Sequence, residues 1–195
     1  PKSRKIDDAL CGRPVGEPSA AARKYAFRLA LERITGEPAE GVEYETWQQR
    51  RGRELEPEAR SRHSFEYGLE IRQVGFIKTP CGRFGASPDG LIDPDGGSEY
   101  KCFTDPDKVR EIGVDGDPSL VMDQMQGGMM VAGANWWHLG LYCPGLWRAG
   151  LEFTLIPAKR DEAYIADLWA DLERFDDLVE SYVMRLRERA GSGVL

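Results

Sequence analysis

Asp89, Glu99 and Lys101 are the residues whose types and spacing could do chemistry together. Asp89 stands in a Ser-Pro-Asp-Gly turn, and Glu99-Tyr100-Lys101 follows a bend built from Asp93-Pro94-Asp95-Gly96-Gly97. Proline and glycine at these places predict two short strands folded back as a hairpin. Strand residues two apart share a face, so Glu99 and Lys101 project together, Tyr100 turns away, and Asp89 at the mouth of the first strand can join them. Oxygen ligands with open positions suit Mg2+, with Mn2+ as a substitute, because these ions keep waters and commonly take one or two carboxylates plus phosphate oxygens. Such a cation polarises a phosphodiester, and a lysine beside it can orient the attacking water, so the chemistry would be phosphodiester hydrolysis. By spacing alone, the three residues fit a solvated polar hairpin more readily.

The surrounding string tips this balance. Gly85-Ala86-Ser87-Pro88-Asp89-Gly90-Leu91, followed by Glu99-Tyr100-Lys101-Cys102, resembles the phage lambda exonuclease family, the viral-type recombinase or alkaline exonuclease group of the PD-(D/E)XK nucleases. The Gly52 to Ala59 run is similar to that family's helical acidic motif, and Gln124-Met125-Gln126 to its Gln-x-Gln motif. Cys102-Phe103-Thr104 departs by one missing proline from the family's usual Cys-Pro-Phe-Thr.

The resemblance implies a restriction-endonuclease-like α/β core, a mixed central sheet flanked by helices. It makes Asp89 and Glu99 metal ligands, with the Tyr100 carbonyl a third, gives Lys101 the attacking water, and sets Glu56 and Gln124 as support. Arg50, Arg51 and Arg53 then lie close enough to meet phosphates, together with Ser87. Ser3 matches a serine of the family's 5′-phosphate region, with Arg4 beside it, and the family's upstream arginine has no match ahead of it. The implied activity is a metal-dependent 5′→3′ exonuclease on double-stranded DNA, releasing 5′-mononucleotides and leaving a 3′ overhang for recombination by strand annealing. A homotrimeric ring, 5′-phosphorylated DNA ends and a phage-type single-strand annealing protein are the implied assembly and partners. An endonuclease of the same superfamily and a catalytically silent DNA-end-binding protein are the alternatives.

Composition sets the bounds. With 195 residues, 41% hydrophobic and 30% charged, the chain reads as one globular domain with an N-terminal arm over 1–18 and a flexible tail over 191–195. No apolar run approaches the ~18 residues of a membrane span, and no signal peptide is evident, so a cytoplasmic protein is expected. Cys11, Cys81, Cys102 and Cys143 form no Cys-x-x-Cys pair, and His63 and His138 have no zinc-type partner at ligand spacing, which argues against zinc sites and histidine triads. The net charge of −7 conceals a basic front half: residues 1–85 carry 16 Lys and Arg against 13 Asp and Glu, and residues 86–195 carry 10 against 20. Screening over roughly 10 Å lets a local basic stripe hold phosphates on an acidic protein.

The elements that must position these residues read as follows. Ser19 to Ile34 is a helix with Ser19 as N-cap and Gly36 past its end. Arg23, Lys24, Arg28 and Arg33 on its polar side are either phosphate contacts or, by preference, a solvated face. Tyr44 to Tyr67 is helical, with Pro57 in the first turn of a new helix. Leu69 to Lys78 alternates as one strand with a bulge near Gly75 that pairs with the hairpin. Asp105 to Asp117 is a polar connection without an assigned task. Ser119 to Ala132 is a Met-rich helix whose Gly127-Gly128 pair implies close packing against a strand or a substrate. Trp136 to Tyr142 and Leu151 to Ile156 are strands, with at least one of Trp136 and Trp137 in the core. A final helix from Asp161 to about Arg189 should cover the sheet.

Overall fold

The computed structural model describes residues 17–39 and 45–191. Ser3 and Arg4, the 5′-phosphate candidates, lie outside the described residues, as does the tail beyond Gly191. The chain divides into two compact units, one spanning Tyr44–Ile165 and the other combining the N-terminal helix with the segment from Ala166 onward.

In the larger unit a mixed five-stranded sheet has the order β1-β4-β5-β6-β7. Its strands are β1 (Ile71–Arg72), β4 (Gly90–Ile92), β5 (Gly96–Lys101), β6 (Trp136–Tyr142) and β7 (Phe153–Lys159). The expected hairpin is present, with Gly90 opposite Ser98 and Ile92 opposite Gly96. β5 and β6 run parallel, Ser98 against His138 and Lys101 against Leu141, and the other pairings are antiparallel. A parallel pair needs a crossover. Here α3 (Pro106–Gly113), a 3-10 turn and α4 (Met122–Ala132) carry the chain back across the sheet. Ile112, Met125, Met129, Trp137, Leu139 and Leu141 form the core between crossover and sheet. Trp137 is that buried tryptophan, 1% exposed, and its indole ring fills the space a Cβ would need at Gly97 and at Gly128. The helical glycine pair is thus explained, at Gly128, by packing against a strand.

α2 (Trp47–Tyr67) is one helix rather than two, with Pro57 in its interior. Pro57 and Arg53 are exposed, so the carbonyl that loses its i+4 donor is on the solvent side. A Thr46–Gln49 capping box starts the helix and left-handed Gly68 ends it. The expected single strand from Leu69 to Lys78 is two pieces: β1, and β2 (Ile77–Lys78), which pairs with β3 (Gly85–Ala86) in a separate ribbon. Partial burial here falls on Leu69, Ile71, Val74 and Ile77, and the change of spacing from two to three is one that no continuous strand can keep on one face. The unassigned polar connection holds α3, capped by Asp105 and opened by Pro106 at its first turn, with Ile112 wholly buried.

In the smaller unit α1 (Ala20–Thr35) has the expected Ser19 and Gly36 caps. Its Ala26 and Ala30 leave a shallow face on which Phe175, Leu178, Val179 and Tyr182 of α5 (Glu162–Gly191) pack, so this part of the last helix's apolar stripe is covered by α1. Arg33 pairs with Asp176 and Glu180, Arg28 with Glu32, and Arg23 with Glu17, which makes the basic side of α1 an ion-paired face. Among the described residues no helix is long and apolar enough to cross a membrane.

Candidate active site

Four elements deliver the site. α2 brings Glu56, the residue before β4 is Asp89, β5 ends in Glu99 and Lys101, and the crossover helix α4 brings Gln124. Lys101 Nζ donates to Glu99 Oε1 at 2.6 Å and to Gln124 Oε1 at 2.7 Å, and Gln124 Nε2 donates to the same Glu99 oxygen at 2.6 Å. Glu99, Lys101 and Gln124 therefore close a ring of three hydrogen bonds. Asp89 Oδ2 accepts from the main-chain N–H of Tyr100 at 2.6 Å. In a strand the N–H and C=O of one residue face the same side, so the Tyr100 carbonyl points to the edge on which Asp89 sits. That edge is free of β4, whose ladder stops at the Gly90–Ser98 pair.

Glu56, Asp89, Glu99 and Lys101 line one cavity of about 800 Å³. Burial raises the pKa of Asp89 and of Glu56, and it pushes Glu99 up to about 7. The Asp89 charge adds to the rise at Glu56 and Glu99, while Lys101 opposes it at all three. Three carboxyls raised by burial in a concave, half-buried place, Glu56 and Glu99 also by neighbouring carboxylates, make a donor set short of positive charge. Among the described residues the hydrogen bonds above leave Asp89 Oδ1 and Glu99 Oε2 without a donor. Among the described residues no three or more His, Cys, Asp or Glu side chains are placed so as to hold a metal ion by themselves. The oxygens left open, those of two carboxylates and a main-chain carbonyl, are of the kind a hard cation accepts together with water.

The arginines divide. Arg51 lines the cavity and donates from Nη1 to the Cys102 carbonyl at 2.6 Å, tying α2 to the end of β5. Arg53 also lines it, with Nη2 on Glu45 at 2.9 Å. Arg50 leans on Glu45 at 3.6 Å and is not among the lining residues, and neither is Ser87, which is exposed between β3 and β4. Lys108 of α3 lines the same cavity. Sequence reasoning missed it because α3 was read as a connection, although Asp105-Pro106 followed by Val109 and Ile112 is a helix start with an apolar pair at i, i+3. It also missed Arg60, whose Nε donates to the Asp89 carbonyl at 2.9 Å and whose Nη2 pairs with Glu56.

Behind β5 the two histidines meet. Tyr100 Oη lies 2.9 Å from His63 Nδ1, and His63 Nε2 lies 3.0 Å from His138 Nδ1. His63 is fully buried, and burial together with His138 takes its pKa down to about 4. This network braces the strand between α2 and β6 and sits on the face away from Glu99.

No curated protein shows a significant match to the chain. Among solved structures, LHK-Exo in complex with dAMP is 29% identical with a TM-score of 0.81, covering 97% of this chain and 92% of that one. The alkaline exonuclease LHK-Exo from Laribacter hongkongensis gives 28% and 0.79 over the same shares. A phage-related exonuclease from Haemophilus somnus, at 16% identity and a TM-score of 0.60 over 97% and 90%, shares the fold. The model of the YqaJ-like viral recombinase domain matches residues 11–135. The chain belongs to the YqaJ-like viral recombinase domain family, within the lambda-exonuclease-like group to which its hairpin, helical and Gln-x-Gln motifs point.

Proposed function

We propose that this protein is a metal-dependent 5′→3′ exonuclease that digests one strand of duplex DNA from its end and leaves a 3′ single-stranded overhang for recombination. One observation carries the reading: Glu56, Asp89, Glu99, Lys101 and Gln124, drawn from four elements, converge about one cavity and the hydrogen-bond ring on its wall. LHK-Exo, which the chain resembles over nearly its whole length, is an alkaline exonuclease described with dAMP, the kind of product that mononucleotide release would leave.

In this reading Asp89 and Glu99, with the Tyr100 carbonyl, hold Mg2+, and Mn2+ can stand in. When bound, the metal supplies Lewis-acid polarisation of the scissile phosphate. Lys101 keeps two of its three N–H donors on Glu99 and Gln124 and turns the third to the attacking water, which it orients. Gln124 holds Lys101 and Glu99 in register. Glu56 closes the acidic wall from α2, and Arg51 and Arg53 attract the phosphates of the strand that enters the cavity. We extend the reading to 5′-phosphorylated duplex ends as substrate, to a homotrimeric ring, to a single-strand annealing protein as partner and to the cytoplasm as compartment. The family resemblance supports these extensions.

The test is a linear duplex with one labelled 5′-phosphorylated strand, incubated with Mg2+ or with chelator beside a closed circular duplex. Metal-dependent mononucleotides from the labelled strand with an intact circle are expected, and Asp89→Ala or Glu99→Ala should lower the rate by at least ~100-fold. Nicking of the circle would make the protein an endonuclease. Binding without product would make it a silent end-binding protein. Full Mg2+-dependent cleavage by Asp89→Ala would refute the metal assignment.

A further inference from the structure

We infer that Arg60 is a positioning residue of this site: its guanidinium fork fastens Glu56 on α2 to the main chain of Asp89 at the mouth of β4, and so fixes two separately delivered carboxylates against each other. The inference rests on the exonuclease reading above. The Arg60 side chain is 13% exposed, whereas those of Arg50, Arg53 and Arg62 on the same helix are 60%, 71% and 44% exposed. A long cationic side chain is taken from water at this position alone among those four.

The packing beneath it explains how this is possible. Ala59, wholly buried, meets Tyr100 and Tyr142, and its small side chain lets α2 approach β5 closely. Arg60 follows directly, one turn beyond Glu56, and so faces the hairpin mouth. Nε donates to the Asp89 carbonyl at 2.9 Å while Nη2 pairs with Glu56 Oε1. Asp89 is thereby gripped twice, at its carbonyl by Arg60 and at its carboxylate by the Tyr100 N–H. The strand ladder begins only at Gly90, so without Arg60 the main chain of Asp89 would depend on its turn alone.

A planar fork holds both partners from one side chain at a fixed spacing, whereas a lysine, with rotatable donors on a flexible stem, can reach two acceptors without fixing them against each other. Misplacement of a catalytic group by ~1 Å can cost about 100-fold in rate. Arg60→Lys, which keeps the charge and loses the fork, should therefore lower turnover about 10- to 100-fold and leave the KM for DNA within about twofold.

The experiment compares wild type, Arg60→Lys, Arg60→Met and Arg60→Ala, with thermal melting to verify the fold. Turnover is measured on the 5′-phosphorylated duplex, and Mn2+ binding is measured by calorimetry without DNA. Turnover and Mn2+ affinity should both fall in Arg60→Lys, guanidinium but not ammonium ions should restore part of the turnover of Arg60→Ala, and Arg60→Met should add little in a Glu56→Gln background. Wild-type turnover and Mn2+ affinity in Arg60→Lys would overturn the inference. If wild type itself releases no nucleotide, the exonuclease reading fails instead, and the Mn2+ affinity of Arg60→Lys still decides whether Arg60 positions the carboxylates.

Discussion

Gly128→Ala and Gly52→Ala make the same chemical change in two helix interiors and should move stability in opposite directions. At Gly52 of α2 an added Cβ meets nothing within 4 Å, so the usual preference of a helix for alanine, about 1 kcal/mol, acts alone. At Gly128 of α4 the same Cβ would lie 2.9 Å from Trp137 Cζ2 and 3.1 Å from Cη2. The ring has no room to withdraw, because a Cβ at Gly97 of β5 would lie 2.3 Å from its Cζ3, and Trp137 is 1% exposed. Overpacking of this kind costs about 1–3 kcal/mol. Set against the helical gain of ~1 kcal/mol, Gly128→Ala should lose roughly 1 kcal/mol net. In a chain of this length that is a drop of ~2–4 °C in Tm, against a rise of similar size for Gly52→Ala. Thermal melts of the two variants beside wild type decide it. Gly128→Ala melting as high as Gly52→Ala would refute the claim that Trp137 is held rigidly between crossover and strand. The push would be felt on β5 two residues from Glu99, so turnover should fall together with stability.

Two further outcomes are expected at the site. Gln124→Ala removes a donor from Glu99 and an acceptor from Lys101; hydrogen bonds to charged groups contribute ~1.5–3 kcal/mol, and water regains part of this at an exposed residue, so turnover should fall about 10-fold with an unchanged KM for DNA. Unaltered turnover would show that the hydrogen-bond ring is incidental. Glu99→Gln should raise the metal-free Tm at pH 8, because a carboxyl pushed from 4.5 to about 7 in the folded protein loses stability as pH rises from 4.5 through 7. The gap to wild type should vanish near pH 4.5 and shrink when Mg2+ is added, and a gap independent of pH would contradict the buried, crowded setting of Glu99.

Much of this was legible in the sequence because it lay in short-range signals. Pro and Gly set the β4–β5 bend, Ser19 and Gly36 set the caps of α1, and Asp161, read as an N-cap, accepts from the Tyr164 N–H. The mixed sheet and the meeting of Glu56, Asp89, Glu99, Lys101 and Gln124 followed from motifs whose spacing survives in the chain. What escaped was set by partners distant in sequence. Pro57 stays in α2 because its side of the helix is exposed, which a propensity reading cannot know. The run from Leu69 to Lys78 breaks because its two ends pair with different strands. Arg60 and Lys108 look like ordinary surface charges until the fold brings the hairpin mouth and the cavity to them. The −7 net charge similarly hides a local deficit of positive charge among three carboxyls, which only their convergence creates.

The edge of β5 beyond Ser98 gives Asp89 a second part to play. There the sheet has run out of partner strand, and the carboxylate of Asp89 accepts the Tyr100 N–H in place of the missing backbone oxygen. A side chain thus ends the ladder as a surrogate strand, and the unpaired edge that invites association between chains is stoppered by the same group proposed to ligate metal. Asp89→Ala accordingly strips charge and plug at once and leaves a bare donor at the sheet margin. Asp89→Asn, whose amide oxygen still accepts that N–H, is the substitution that separates the chemical duty of this residue from its architectural one.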